Sequence, residues 1–148
     1  MLSYSQHDLR WANQLIRGTN LSIGRFGCTI TCIADLSTYF GDNLTPADVN
    51  EIIKFTANGL VYWTSCSFGH FVFDRRTYGR DYAAISAAIL DPKQAVILQV
   101  ARASHWVVAT GWQPEINDFK IADPWLGDFS NMARYRKDIT GAAFFRSK

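Results

Sequence analysis

Four side chains in this sequence have the types and settings that hydrolytic chemistry needs. Cys28 follows Ile23-Gly24-Arg25-Phe26-Gly27, so a glycine-bearing loop delivers a thiol to the first turn of an apolar helix. Unpaired backbone N–H groups and the helix dipole favour an anion there, which is how a thiolate nucleophile is made. His105 stands at the head of an apolar strand, in Ser104-His105-Trp106-Val107-Val108, where a general base would be held rigidly at a sheet edge. Asp123 ends the following strand, in Ile121-Ala122-Asp123-Pro124. Neighbouring strands of a meander can set it beside His105, to orient the imidazole and stabilise its charged form. Gln6 adds an amide N–H donor that could face the oxygen of a tetrahedral intermediate.

Each of these residues also has a plain structural use. Cys28 could be a small buried hydrophobe, His105 a satisfied core residue, Asp123 a turn former before proline and Gln6 a solvated amide. Cys32, one turn along the same helix, reads as core packing, and Cys66 in Thr64-Ser65-Cys66-Ser67 as structural. His7 reads as a surface residue, and His70 follows a glycine in a stretch of unassigned structure. Cys28 and Cys32, with Cys66 and His70, share i, i+4 spacings that could make a Cys3His metal set. Structural zinc sites use a CxxC knuckle in a loop, whereas this first pair sits in an apolar helix, so no metal is expected. No phosphate-cradling glycine motif or dinucleotide fingerprint occurs, and no cofactor is expected.

The elements that must hold these groups follow from periodicity. Thr29 to Phe40 reads as a buried helix, with Ile30, Ile33, Ala34 and Ser37 at helical spacing and Gly41 as a stop. A second, amphipathic helix starts at Thr45 as cap with Pro46 at its first position and Asp48 in its first turn, and sets Val49, Ile52 and Ile53 on one face. A third, Ala-rich helix over 81–90 is closed by Asp91-Pro92. From Gln94 the pattern turns to strands: 95–101 and 105–112, apolar on both faces and therefore central, then 119–123 after a turn at 114–118, and a last strand at 142–146. The order, helices and then an antiparallel meander, is α+β. The aromatic- and glycine-rich stretch 59–79 reads equally as loop or hairpin. Its Leu60, Tyr62, Trp63, Phe68, Phe71 and Phe73 suit core packing better than a partner surface.

Composition bounds the rest. The chain has 148 residues, 48% hydrophobic, 14% aromatic and 19% charged, which suits a single domain over 1–148 with a packed core and little of its length in a disordered tail or low-complexity linker. Fifteen Lys and Arg against 13 Asp and Glu leave a net charge of +2, and the basic residues are scattered except for Arg75-Arg76 and Arg134 to Lys137, so a nucleic-acid partner is not expected. No apolar run is long enough for a membrane span, and the N-terminus lacks a signal-peptide pattern, so synthesis and retention in a cytoplasm are expected unless other machinery carries the protein out. Three cysteines cannot all pair within the chain, so at least one thiol is free.

Taken together, Tyr4-Ser5-Gln6-His7-Asp8 with Trp11, Gly27-Cys28-Thr29, Ser104-His105-Trp106-Val107-Val108 with Gly111, and Ile121-Ala122-Asp123-Pro124 with Gly127 resemble the bacteriocin-processing (double-glycine) cysteine peptidases and their stand-alone relatives. The resemblance runs from residue 4 to about residue 145 and keeps the order Gln, Cys, His, Asp. Gln6 precedes Cys28 by 22 residues, as in the stand-alone relatives rather than the transporter-linked enzymes. It implies a papain-like fold, with the thiol at the start of a central helix packed on an antiparallel sheet. It also implies Cys28 as nucleophile, His105 as base and then acid, Asp123 as orienting residue, and Gln6 with the Cys28 N–H as oxyanion hole. The expected function is a cysteine peptidase or amidase acting through an acyl-enzyme on a peptide or peptidoglycan-peptide substrate, with no cofactor. Free-standing modules of this kind look like small bacterial or phage peptidases and cell-wall-active enzymes. The competing expectation is a papain-like binding or structural module in a larger assembly such as a phage particle, without turnover. The two differ in whether a cleft reaches Cys28.

Overall fold

The computed structural model describes residues 1–148 and is α+β. Its sheet has six antiparallel strands: β1 (Phe71–Tyr78), β2 (Gln94–Val100), β3 (His105–Gln113), β4 (Asp118–Asp123), β5 (Asp128–Asn131) and β6 (Ile139–Ser147). Their order is β1-β6-β2-β3-β4-β5. Strands β2 to β4 form the expected meander, β5 extends it as a strand the sequence reading did not include, and the last strand returns to lie between β1 and β2.

Strand alternation sorts the core into two layers. Ile97, Val108, Ala122, Ala143 and Phe145 face one side and pack with Ile30, Ile33, Leu36 and Val49 of α2 (Cys28–Phe40) and α3 (Pro46–Ile52). Val96, Leu98, Val107, Phe119, Ile121 and Phe144 face the other, covered by Ile85 and Ala88 of α4 (Tyr82–Leu90) and by Met132. Burial on both faces is why β2 and β3 read as continuous apolar runs. The sheet's two faces carry 17 and 13 buried residues, so neither layer is a minor satellite of the other.

The helices start where their caps place them. A capping box between Thr45 and Asp48 opens α3, and the Asp81 side chain caps α4 by accepting from Ala84 N–H. Asp81 is therefore outside the helix, and α2 begins one residue earlier than periodicity suggests, at Cys28 itself. Two other expectations are corrected. Ile52 is 40% exposed, because α3 ends there and Ile53, beyond its last turn, takes the core position instead. Asp118 is not a turn residue but the first of β4, fully buried, where its carboxylate accepts from the Tyr82 hydroxyl at 3.0 Å.

The stretch 59–79 is part loop and part strand, with a minimal hairpin where Phe68 and Phe71 exchange backbone hydrogen bonds across Gly69-His70. A bridge between Phe55 and Val61 leads into a 3-10 turn at Trp63–Cys66 and then into edge strand β1. Phe71 is wholly buried, and Trp63, Phe68 and Phe73 pack against the same layer, as expected of core aromatics. Leu60 and Tyr62 are exposed. No helix is long and apolar enough to cross a membrane.

Candidate active site

Gly27 sets the position of Cys28 by close approach. The short helix α1 (Ile23–Phe26) ends on Gly27, whose N–H donates to the Ile23 carbonyl at 2.7 Å. A Cβ on residue 27 would lie 2.5 Å from that carbonyl oxygen, so only glycine lets the chain turn at once into α2. Cys28 is then the first helical residue and remains partly exposed. The Gly27 carbonyl accepts from Thr31 N–H, and no backbone carbonyl accepts from Cys28 N–H, which is left as a free donor beside the thiol.

His105 opens β3 and Asp123 ends β4. Because the strands are antiparallel neighbours, the start of one lies beside the end of the other, and His105 Nε2 is 2.9 Å from Asp123 Oδ1. That contact leaves Nδ1 as the ring nitrogen free for the thiol. Burial alone would lower the His105 pKa, but the hydrogen bond to Asp123 and the influence of the neighbouring Cys28 and Asp123 raise it to about 9.

Asp123 is fully buried and its carboxylate is surrounded by donors. Oδ1 also accepts from Trp125 N–H at 3.0 Å, and Oδ2 accepts from Arg134 Nη1 at 3.1 Å and from the Tyr135 hydroxyl. Burial pushes this carboxyl up. The hydrogen bonds from His105, Tyr135 and Trp125 N–H outweigh it and hold the pKa down at about 2. One oxygen, Oδ1, thus makes both the turn contact to Trp125 N–H and the contact to His105.

Gln6 is 1% exposed, so it is not a solvated amide. Its backbone N–H donates to the Pro124 carbonyl at 2.8 Å and its Nε2 donates to the Gly24 carbonyl at 3.1 Å. It therefore ties the turn after Asp123 to the helix before Cys28. The Gly24 oxygen fixes which end of the amide is the donor, since the reversed amide would set two acceptors together. Gln6 Oε1 is buried without a partner.

The other titratable candidates fall elsewhere. Cys32 is fully buried, with its thiol directed at the Trp106 carbonyl at 3.4 Å, and burial pushes its pKa well up. Cys66 is buried too, and desolvation raises its thiol to about 12. His70 pairs with Asp42 on the surface. His7 is exposed and packs edge-on against Trp125, whose ring also stands 6.3 Å from that of His105. Cys28, Cys32, Cys66 and His70 do not converge, and no three His, Cys, Asp or Glu side chains are grouped to hold a metal ion.

A cleft of about 410 Å³ reaches Cys28, walled by Phe26, Leu60, Trp63, Tyr78 and Trp106. Arg134, Tyr135 and Trp125 are site residues that sequence reasoning missed. The basic run at 134–137 was the one available signal, and nothing in it points to a carboxylate 11 residues upstream. No protein-family model matches the chain, and no curated protein matches it.

Proposed function

We propose that this protein is a cysteine peptidase or amidase with a papain-like fold, of the kind the bacteriocin-processing peptidases and their stand-alone relatives exemplify. The observation that carries the reading is the set Cys28, His105, Asp123: an imidazole bound through Nε2 to a buried carboxylate, with a partly exposed thiol at a helix N-terminus near enough to act on its charge and a cleft that reaches that thiol. A structural histidine needs no such thiol, and a structural cysteine needs no cleft.

In this reading the Cys28 proton passes to His105 Nδ1, giving a thiolate and an imidazolium that Asp123 stabilises. The sulfur attacks the substrate carbonyl carbon, and the oxygen takes up negative charge against the free Cys28 N–H and the remaining Nε2 hydrogen of Gln6. His105 then gives its proton to the leaving nitrogen as the C–N bond breaks. In the second half His105 takes a proton from water, the hydroxyl displaces sulfur, and the acid is released with the thiolate restored. Arg134 and Tyr135 take no part in proton transfer. They keep Asp123 ionised, so that His105 stays in one orientation.

The test is the pH dependence of Cys28 alkylation by iodoacetamide, mapped by mass spectrometry, together with hydrolysis of a peptide library. An ordinary thiol loses rate about tenfold per pH unit below ~8.5. Cys28 should instead stay reactive at pH 6, revert to ordinary behaviour in His105→Asn, and support cleavage that Cys28→Ser abolishes. An ordinary profile in both proteins, with no peptide cleaved, would favour the non-catalytic binding module.

A further inference from the structure

Among the side chains that line the cleft at Cys28, Arg76 is the one that carries a charge, and no carboxylate accompanies it. Its position is unusual for an edge-strand residue. Arg76 belongs to β1, yet its guanidinium lies across β6 and reaches β2. Gly141 of β6, the register partner of Tyr78 on one side and Gln99 on the other, makes the passage possible. A Cβ there would stand 2.3 Å from Arg76 Nη1. Beyond it, Arg76 Nη2 donates to Gln99 Oε1 at 3.1 Å. That oxygen is aimed by its own neighbours: it accepts from Thr140 Oγ1 at 3.0 Å, while Gln99 Nε2 donates to the Ala103 carbonyl.

Aromatic rings complete the mount. The guanidinium carbon is 4.2 Å from the Tyr78 ring centre and 4.9 Å from that of Trp106, the residue next to His105. Nη1 donates to the Thr77 carbonyl. Every one of these partners is neutral. Arg10, Arg75 and Arg134 each meet an aspartate, and Arg76 meets none. Partial burial costs the cation some of its hydration and lowers its pKa, with no counter-charge to offset it. A guanidinium that is pinned, partly desolvated and without a counter-charge in the cleft that reaches Cys28 is a receptor for an anion, and its planar fork suits a carboxylate.

We propose that Arg76 is the specificity residue of this cleft and anchors a substrate carboxylate, so that the protein selects acidic peptides. What happens to the bound peptide rests on the peptidase reading, but the binding does not. The carboxylate belongs either to an Asp or Glu side chain or to a free C-terminus, with Trp63 and Trp106 packing the adjoining apolar part.

Binding is read by tryptophan fluorescence with short blocked alanine peptides carrying Glu or Gln at each position in turn, and with the all-alanine peptide as free acid or amide. The Glu/Gln pairs report a side-chain carboxylate and the acid/amide pair a terminal one. At least one acidic peptide should bind about tenfold more tightly than its neutral twin, a difference typical of one well-placed charged contact. Arg76→Gln should abolish that preference. Gln99→Glu should abolish it too, by neutralising the guanidinium in place, and this variant keeps the test open if Arg76→Gln fails to fold. No preference in the wild type, or a preference that survives in either folded variant, would overturn the proposal. Cys28 alkylation is followed in the same samples. If its pH profile is ordinary while the acidic preference holds, the peptidase reading falls and the anion subsite stands.

Discussion

His105 Nε2 and Asp123 Oδ1 stand 2.9 Å apart, joining the first residue of one strand to the last residue of its antiparallel neighbour. The contact is buried on both sides, so solvent neither screens nor replaces it. It also sets a pH window. The His105 pKa is raised in the folded protein, so its contribution to stability is complete below about 6.5 and is lost as pH climbs through about 9. The Asp123 pKa is depressed, so its contribution is complete above about 3.8 and is lost as pH falls through about 2.

Asp123→Asn keeps the size of the side chain and removes the charge that favours imidazolium. Turnover should fall with KM nearly unchanged, by less than the ~10⁴-fold loss found where the nucleophile is a hydroxyl, because thiolate and imidazolium stabilise each other. With the His105 proton held less tightly, the alkaline limb of kcat/KM should move to lower pH. Superimposable profiles for the two proteins would remove Asp123 from the site.

Tyr135→Phe takes one hydrogen bond from the Asp123 carboxylate and leaves Arg134 in place. The loss should be about 1.5–3 kcal/mol, as for a bond to a charged group. The Asp123 pKa rises toward its unfolded value, so stability should depend less steeply on pH in the acid range than in the wild type. Urea denaturation at pH 3 and pH 7 checks both parts, and the larger deficit is expected at pH 7, shrinking toward pH 3 as the carboxylate takes up its proton.

Gly27→Ala puts a methyl 2.5 Å from the Ile23 carbonyl oxygen and 2.6 Å from Ile23 Cγ2. The backbone must shift where it positions Cys28. Activity should therefore fall by far more than the modest loss of thermal stability accounts for, and Cys28 alkylation should drift toward an ordinary pH profile. A variant that melts lower but keeps kcat per folded molecule would show that the tight turn serves folding alone.

Asp35, in the middle of α2, is wholly buried, with Oδ1 accepting from Tyr4 N–H at 2.8 Å and Oδ2 without a partner. Desolvation raises its pKa to about 8. The folded state thus prefers the protonated acid, and this advantage, complete below about 3.8, is lost as pH rises through about 8. Asp35→Asn removes the titration. Between pH 5 and pH 9 the wild type should lose on the order of a few kcal/mol relative to the variant, visible as a steeper fall of Tm with pH. Parallel Tm curves would mean that Asp35 is ionised at no cost.

The sequence by itself determined α2, α3, α4 and strands β2, β3, β4 and β6, though not α1, β1 or β5, and it singled out the chemistry-bearing residues. Thr45, Pro46 and Asp48 announce α3, and the apolar run in Ala95 to Ala101 announces a two-sided strand, because caps and periodicity act over a few neighbouring residues. Cys28, His105 and Asp123 stand out because each has a strand end or helix start beside it. Tertiary structure decided everything that depends on distant partners. The place of β6 between β1 and β2 is set by packing of both sheet faces, and no local signal encodes it. The same is true of Arg134 and Tyr135 on Asp123, of Gln6 spanning Gly24 and Pro124, and of Arg76 passing over Gly141 to Gln99. An arginine, a glycine and a glutamine far apart in the chain carry no spacing rule. Only the register of three strands brings them together, and the burial that leaves the guanidinium unpaired exists only once the sheet has formed.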